Sequence, residues 1–273
     1  MLVPHLYLLD RNAVSVIKES NAGKVQSEKK KIRFLNHLRS LDRVGAFITP
    51  LLSIMEGEHG KADTAEEKSA CQRKESESLR QFFRFAKIDS DYLDTTSSLL
   101  GQIFTNHREK AWEQRERFCA VAAPMIAHQV KREQRRTLES QLIALAKDFE
   151  LDATEPIVAL ILACLYESED ARRVVKPAKF NAYNVLSDLH MLSRINMVAA
   201  IAGEHDRSLR VTFLSMDSGL NGVLKHIKVV ERKMSEGILT LRTQYSRGLF
   251  PALSEAEHID LLYRLIEGNT SAK

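Results

Sequence analysis

The sequence predicts an α/β fold, a parallel sheet sandwiched by helices with an all-α subdomain inserted into it. Three observations carry this. Short apolar runs at Leu6-Tyr7-Leu8-Leu9, Ala46-Phe47-Ile48 and Val211-Thr212-Phe213-Leu214 each stop at a polar turn, and the first two lead into a helical pattern. Between the second and the third, residues 61–179 show helical spacing and no strand pattern. Only 11 glycines and 6 prolines punctuate the 273 residues, so most of the chain is expected in regular structure, largely helix.

Along the chain, Leu6–Leu9 is too short to cross a membrane and reads as a buried strand that ends at Asp10. It has no basic lead or small-residue cleavage site, so no signal peptide is expected. Residues 13–20 form a short helix closed by Asn21-Ala22-Gly23. Residues 24–41 form a second, with Ile32, Leu35 and Leu38 on one face and Lys29, Lys30, Lys31, Arg33 and Arg39 on the other. Residues 43–48 are a second strand. Thr49-Pro50 then opens a helix over 51–60 that carries Glu56.

The charged stretch 61–78 is either a mobile loop or an exposed helix. Helices follow at Leu79–Ala86, from Asp94 to Phe104, over 110–130, around Leu138–Phe149, and over Ile157–Tyr166, which is apolar throughout and so must be buried. Residues 181–201 are helical, 209–215 a strand ending at Met216-Asp217, and 227–230 a further short strand. Residues 237–247 and 255–266 are expected as helices. The domains are therefore expected as a discontinuous core of 1–60 and 180–250, an insertion of 61–179, and a C-terminal helix and tail of 251–273.

Composition narrows the function classes. Hydrophobic residues at 44% and charged residues at 28% suit a soluble globular protein, and no apolar stretch suits a membrane. Cys71, Cys119 and Cys164 are odd in number and widely spaced. This argues against a disulfide framework and a thiolate zinc site, and for a reduced, cytoplasmic protein. A net charge of +4 permits nucleic-acid binding without requiring it. A glycine-rich phosphate loop is missing, so no ATP site is expected.

Two strands some two hundred residues apart each end in an acid, Asp10 and Asp217. The ordinary reading of Asp10 is a helix cap. In a parallel sheet, however, both acids fall at the carboxyl edge, where ligands bind. Glu56, after the second strand, and Asp188, before the last, bring the set to four. Carboxylates gathered this closely raise one another's pKa unless a cation neutralises them. Mg²⁺ or Mn²⁺, hard ions that take oxygen ligands and keep waters for a phosphate, are the expected cofactors.

The order of these motifs resembles the PIN-domain family of metal-dependent nucleases, known from bacterial toxin ribonucleases. Leu8-Leu9-Asp10-Arg11-Asn12-Ala13 is similar to the family's opening, and Phe47-Ile48-Thr49-Pro50 through Glu56 to its second motif. Ser187-Asp188-Leu189-His190 is similar to the third, and Thr212-Phe213-Leu214-Ser215-Met216-Asp217 to the fourth. The resemblance covers roughly 4–60 and 180–232. It implies a PIN-like core in which Asp10, Glu56, Asp188 and Asp217 hold one or two divalent ions for phosphodiester hydrolysis, RNA ahead of DNA, with Asn12 and Ser215 as polar support. It further implies a regulated toxin or phage-defence effector controlled by an inhibitory or activating protein partner.

The chain departs from that pattern in its large helical insertion and at the third acid. Asn196, in Asn196-Met197-Val198-Ala199-Ala200-Ile201, competes with Asp188 for that place, and Glu58 and Asp206 are reserve acids. Backbone phosphates are expected on Lys30 and Arg33 and on Arg132 and Arg136 of two basic clusters. His59, His190 and His205 read as structural or exposed, and Trp112 as a packing residue with base stacking the sharper alternative. The alternative function is a catalytically weak scaffold whose helical insertion binds a protein or nucleic-acid partner. The apolar helices also leave surface for a homodimer.

Overall fold

The computed structural model describes residues 4–56, 64–89, 111–205, 208–235 and 238–270. The expected helix from Asp94 to Phe104, and the acids Glu58 and Asp206, lie outside them. The chain parts into two compact units, residues 1–108 with 194–217, and residues 109–193 with 218–273. The expected boundaries at 60/61 and 179/180 therefore differ from those observed. The first unit extends past residue 60 because the next helix packs on the helices that precede it.

The first unit is built on a four-stranded parallel sheet in the order β3-β2-β1-β4. Its strands are β1 (His5–Leu9), β2 (Ala46–Thr49), β3 (Lys87–Ile88) and β4 (Arg210–Leu214). Its helices are α1 (Arg11–Asn21), α2 (Lys29–Ser40), α3 (Leu51–Glu56) and α4 (Ala65–Phe82). In the register, Leu8 lies beside Thr49 on one side and Phe213 on the other. Tyr7, Leu9, Ile48 and Leu214 point to one face, where Val14 and Ile17 of α1, Leu38 of α2 and Leu79 of α4 cover them. Leu8 and Thr49, of the opposite parity, are buried as well. Both faces of the sheet are thus covered, as parallel pairing requires.

Local chemistry sets the element ends. Asp10 caps α1, and Gly23 ends the turn behind it at φ +69°, a region that glycine enters without a Cβ penalty. Thr64 and Glu67 form a reciprocal capping box at the start of α4. That start resolves the expected loop-or-helix choice for 61–78 in favour of a helix from Ala65. β3, two residues long, interrupts the block read as free of strands. It is too short to show a period of two, and it exists because it pairs with β2.

The second unit holds α5 (Trp112–Met125), α6 (Arg132–Asp148), α7 (Pro156–Leu165), α8 (Glu169–Val175), the body of α9 (Ala182–His205) up to Ser193, α10 (Ser218–Leu224) and α11 (Glu255–Thr270). It also holds an antiparallel hairpin, β5 (Ile227–Ser235) and β6 (Ile238–Tyr245). β6 corrects the helix expected over 237–247. Leu239, Leu241, Thr243 and Tyr245 alternate with more polar neighbours, a period of two, and the strand pairs along its length with β5.

Every residue of α7 from Ile157 to Leu165 is buried, as its composition demands. Around it, fully buried Glu139 accepts from Arg264 (2.6 and 3.0 Å), from Arg136 (3.0 Å) and from the Tyr166 hydroxyl, tying α6 to α11. Among the described residues no helix is long and apolar enough to cross a membrane.

Candidate active site at the carboxyl edge of the sheet

β1 ends at Asp10, whose backbone N–H still donates to Leu214 of β4 (3.1 Å). The pairing holds Asp10 beside the end of β4, and its side chain turns back to accept from the Ala13 N–H at 2.7 Å. The cap reading of Asp10 is thus a fact of the structure, and it uses one oxygen. The Ser215 hydroxyl and the exposed Asn12 side chain also donate to the carboxylate. Ser215 in turn accepts from the Asp217 N–H at 2.9 Å. One hydroxyl therefore links the Asp10 carboxylate to the Asp217 backbone at the end of β4.

Glu56 arrives from α3, and its carboxylate accepts from the backbone N–H of Arg11, the first residue of α1. Asp10 and Glu56 thus both sit at the positive end of the α1 dipole, on N–H groups that have no partner within the helix. Even so, burial dominates. It pushes Asp10 up to about 6 against the lowering hydrogen bonds from Ser215, Ala13 and Asn12, with the charge of Asp217 adding to the rise. Burial and the charge of Asp10 push Glu56 up to about 7, against the charges of Arg11 and Arg194.

Among the expected site residues, Asp10, Asn12, Glu56, Asn196, Ser215 and Asp217 belong to the first unit. Asp188 belongs to the second, eight residues before Asn196 on α9, about 12 Å along the helix axis. The unit that carries the other acids therefore contains the neutral candidate for the third place, and Asn196 is buried there. Among the described residues, no group of three or more His, Cys, Asp and Glu side chains is arranged close enough to hold a metal ion.

The basic candidates separate. Lys30 and Arg33 are exposed on α2. Arg132 lies 3.9 Å from Glu257, and Arg136 is engaged by Glu139 and Asp260, which makes it a structural cation of the second unit. In the same unit, Trp112 packs edge-on against buried His190 with ring centres 4.9 Å apart, and Arg115 bridges Glu155 and His190.

Sequence reasoning missed Asp89. It follows β3, accepts from the Thr49 hydroxyl, and is pushed up to about 6 by burial. Its signal was the β3 strand, too short to be seen. Three of the four strands, β1, β3 and β4, thus lead into an acid at the carboxyl edge.

The chain was compared with family models, curated proteins and solved structures. It matches none of them.

Proposed function

We propose that the carboxyl edge of the first unit's sheet is a divalent-metal site and that the chain is a metal-dependent endonuclease, with RNA ahead of DNA. One observation carries this reading. Asp10 and Asp217 close neighbouring parallel strands, are joined through Ser215, and have Glu56 brought to the same helix end. Buried Asp10 and half-buried Glu56, both with raised pKa values, are costly in a resting protein and point to a site whose charge is met from outside. Carboxylate oxygens, joined by Asn196 if it reaches them, would make the hard donor set that Mg²⁺ or Mn²⁺ takes.

Asp10, Glu56 and Asp217 would hold the ion, which supplies Lewis acidity and a bound water of lowered pKa. The chain's own part is orientation. Ala13 and Ser215 fix the Asp10 carboxylate, the Arg11 N–H fixes that of Glu56, and Asp10 and Glu56 must release their protons before a cation enters. Lys30 and Arg33 offer exposed positive charge for a phosphate backbone. The preference for RNA, and the role as an effector held silent by a protein partner, rest on the PIN-domain resemblance.

The test is cleavage of labelled single-stranded RNA, tRNA, and single- and double-stranded DNA with Mn²⁺, Mg²⁺ or EDTA, for wild type beside D10A and D217A. Metal-dependent cutting lost in both variants is the expected result. Neutral Asn196 and the lack of a ready-made three-acid group among the described residues favour a second reading, a catalytically weak scaffold whose helices bind a partner. No cutting of any substrate, with no metal-induced change in melting temperature, would decide for it.

A further inference from the structure

We propose that Lys68 of α4 is a positioning residue that sets the place of Glu56 by clamping the last turn of α3. Its consequence for metal binding rests on the reading of the site given above. α3 is six residues long, too short to hold its own shape, and its last carbonyls have no partner within the helix. Buried Lys68 supplies what the helix lacks: its Nζ donates to the carbonyls of Ile54 (2.8 Å) and Met55 (3.0 Å). A cation at the negative end of the helix dipole adds to those bonds. The peptide that follows the Met55 carbonyl is that of Glu56, so the clamp closes one residue from the carboxylate.

The rest of the helix is tied separately. Thr49 Oγ accepts from the Leu51 N–H (3.2 Å) at the start, and Ser53 donates to buried Glu75 of α4 (2.7 Å) in the middle. Lys68 and Glu75 stand seven residues apart on one face of α4, and both reach α3. Lys68 differs from Ser53 in holding the backbone carbonyls next to Glu56.

The experiment compares K68M with S53A, which cuts the side-chain link from α3 to Glu75 and leaves the Lys68 bonds to the Ile54 and Met55 carbonyls in place. Backbone amide hydrogen exchange, measured without metal, reads the Arg11 N–H that Glu56 accepts and the Ala13 N–H that Asp10 accepts. K68M is expected to lower Arg11 protection tenfold or more while Ala13 protection holds, and to weaken Mn²⁺ binding tenfold or more. S53A is expected to lower the melting temperature and change neither. K68Q, which keeps a donor for one carbonyl, should fall between wild type and K68M and replaces K68M if that variant does not fold. Arg11 protection unchanged in K68M, or reduced equally in S53A, overturns the proposal. If the wild type binds no Mn²⁺, the metal reading fails, and the exchange data still decide the role of Lys68.

Discussion

Replacing Asp10 with asparagine should stabilise the metal-free protein at alkaline pH while abolishing its activity. Burial holds the carboxyl at about 6 in the folded chain, against 3.8 for an ordinary aspartate. The sign follows from proton counts. Between about 4 and about 6 the folded state keeps a proton that the unfolded state has lost, so stability falls as pH rises through that window. Above it, the full cost of the buried charge is present, about 3 kcal/mol at 1.36 kcal/mol per unit. D10N removes that cost and keeps an oxygen for the Ala13 N–H. It turns the acceptor facing Ser215 or Asn12 into a donor, a loss of about 1 kcal/mol. The net gain of about 2 kcal/mol raises the melting temperature by roughly 4–8 °C at pH 8. Melts of both proteins in EDTA from pH 4.5 to pH 8 read it, and the advantage of D10N should shrink as pH falls. A D10N that melts lower than wild type by the same amount at pH 8 and pH 4.5 would refute the reasoning and leave Asp10 as a favourable charged cap.

Three further outcomes are expected. Mn²⁺ affinity should rise with pH through about 6 to 7, because protons on Asp10 and Glu56 compete with the ion; calorimetric titration in buffers of different ionisation heat would show proton release, and a flat profile would count against those ligands. N196D should tighten Mn²⁺ binding by adding a charge to the first unit's site, whereas D188N should leave binding within twofold of wild type; the reverse ranking would return the third place to Asp188. In the second unit, E139A leaves the Arg264 guanidinium without its buried carboxylate, a loss of about 3–5 kcal/mol. The exposed partner in R136A costs under about 1 kcal/mol, and paired thermal melts would separate the two.

Much of this protein was legible in the residues themselves. The β1 run with its acid, the Thr49-Pro50 helix start, the apolar α7 and the strand that ends near Ser215 each carry a local signal, because capping, proline geometry and unbroken hydrophobicity act within a few residues. The pairing of β1 with β4, and with it the meeting of Asp10 and Asp217, was inferred from two similar endings. The hydrogen bonds that join them through Ser215 came from the tertiary structure.

Other features had no local signal. β3 is a strand only because β2 lies beside it, so Asp89 could not be placed from sequence. β6 was read as a helix although its residues alternate, because its partner strand decides between two periods over eight residues. Lys68 lies in the charged stretch 61–78, whose composition leaves a loop and an exposed helix equally open. Its burial against two carbonyls of α3 depends on how α4 packs, a matter of contacts between residues that chain order does not reveal. Local chemistry in the sequence determined where elements begin and end and which acids stand at their ends. Packing and strand pairing decided which of those acids meet and how each is held, because those energies belong to pairs of elements and to no single stretch of chain.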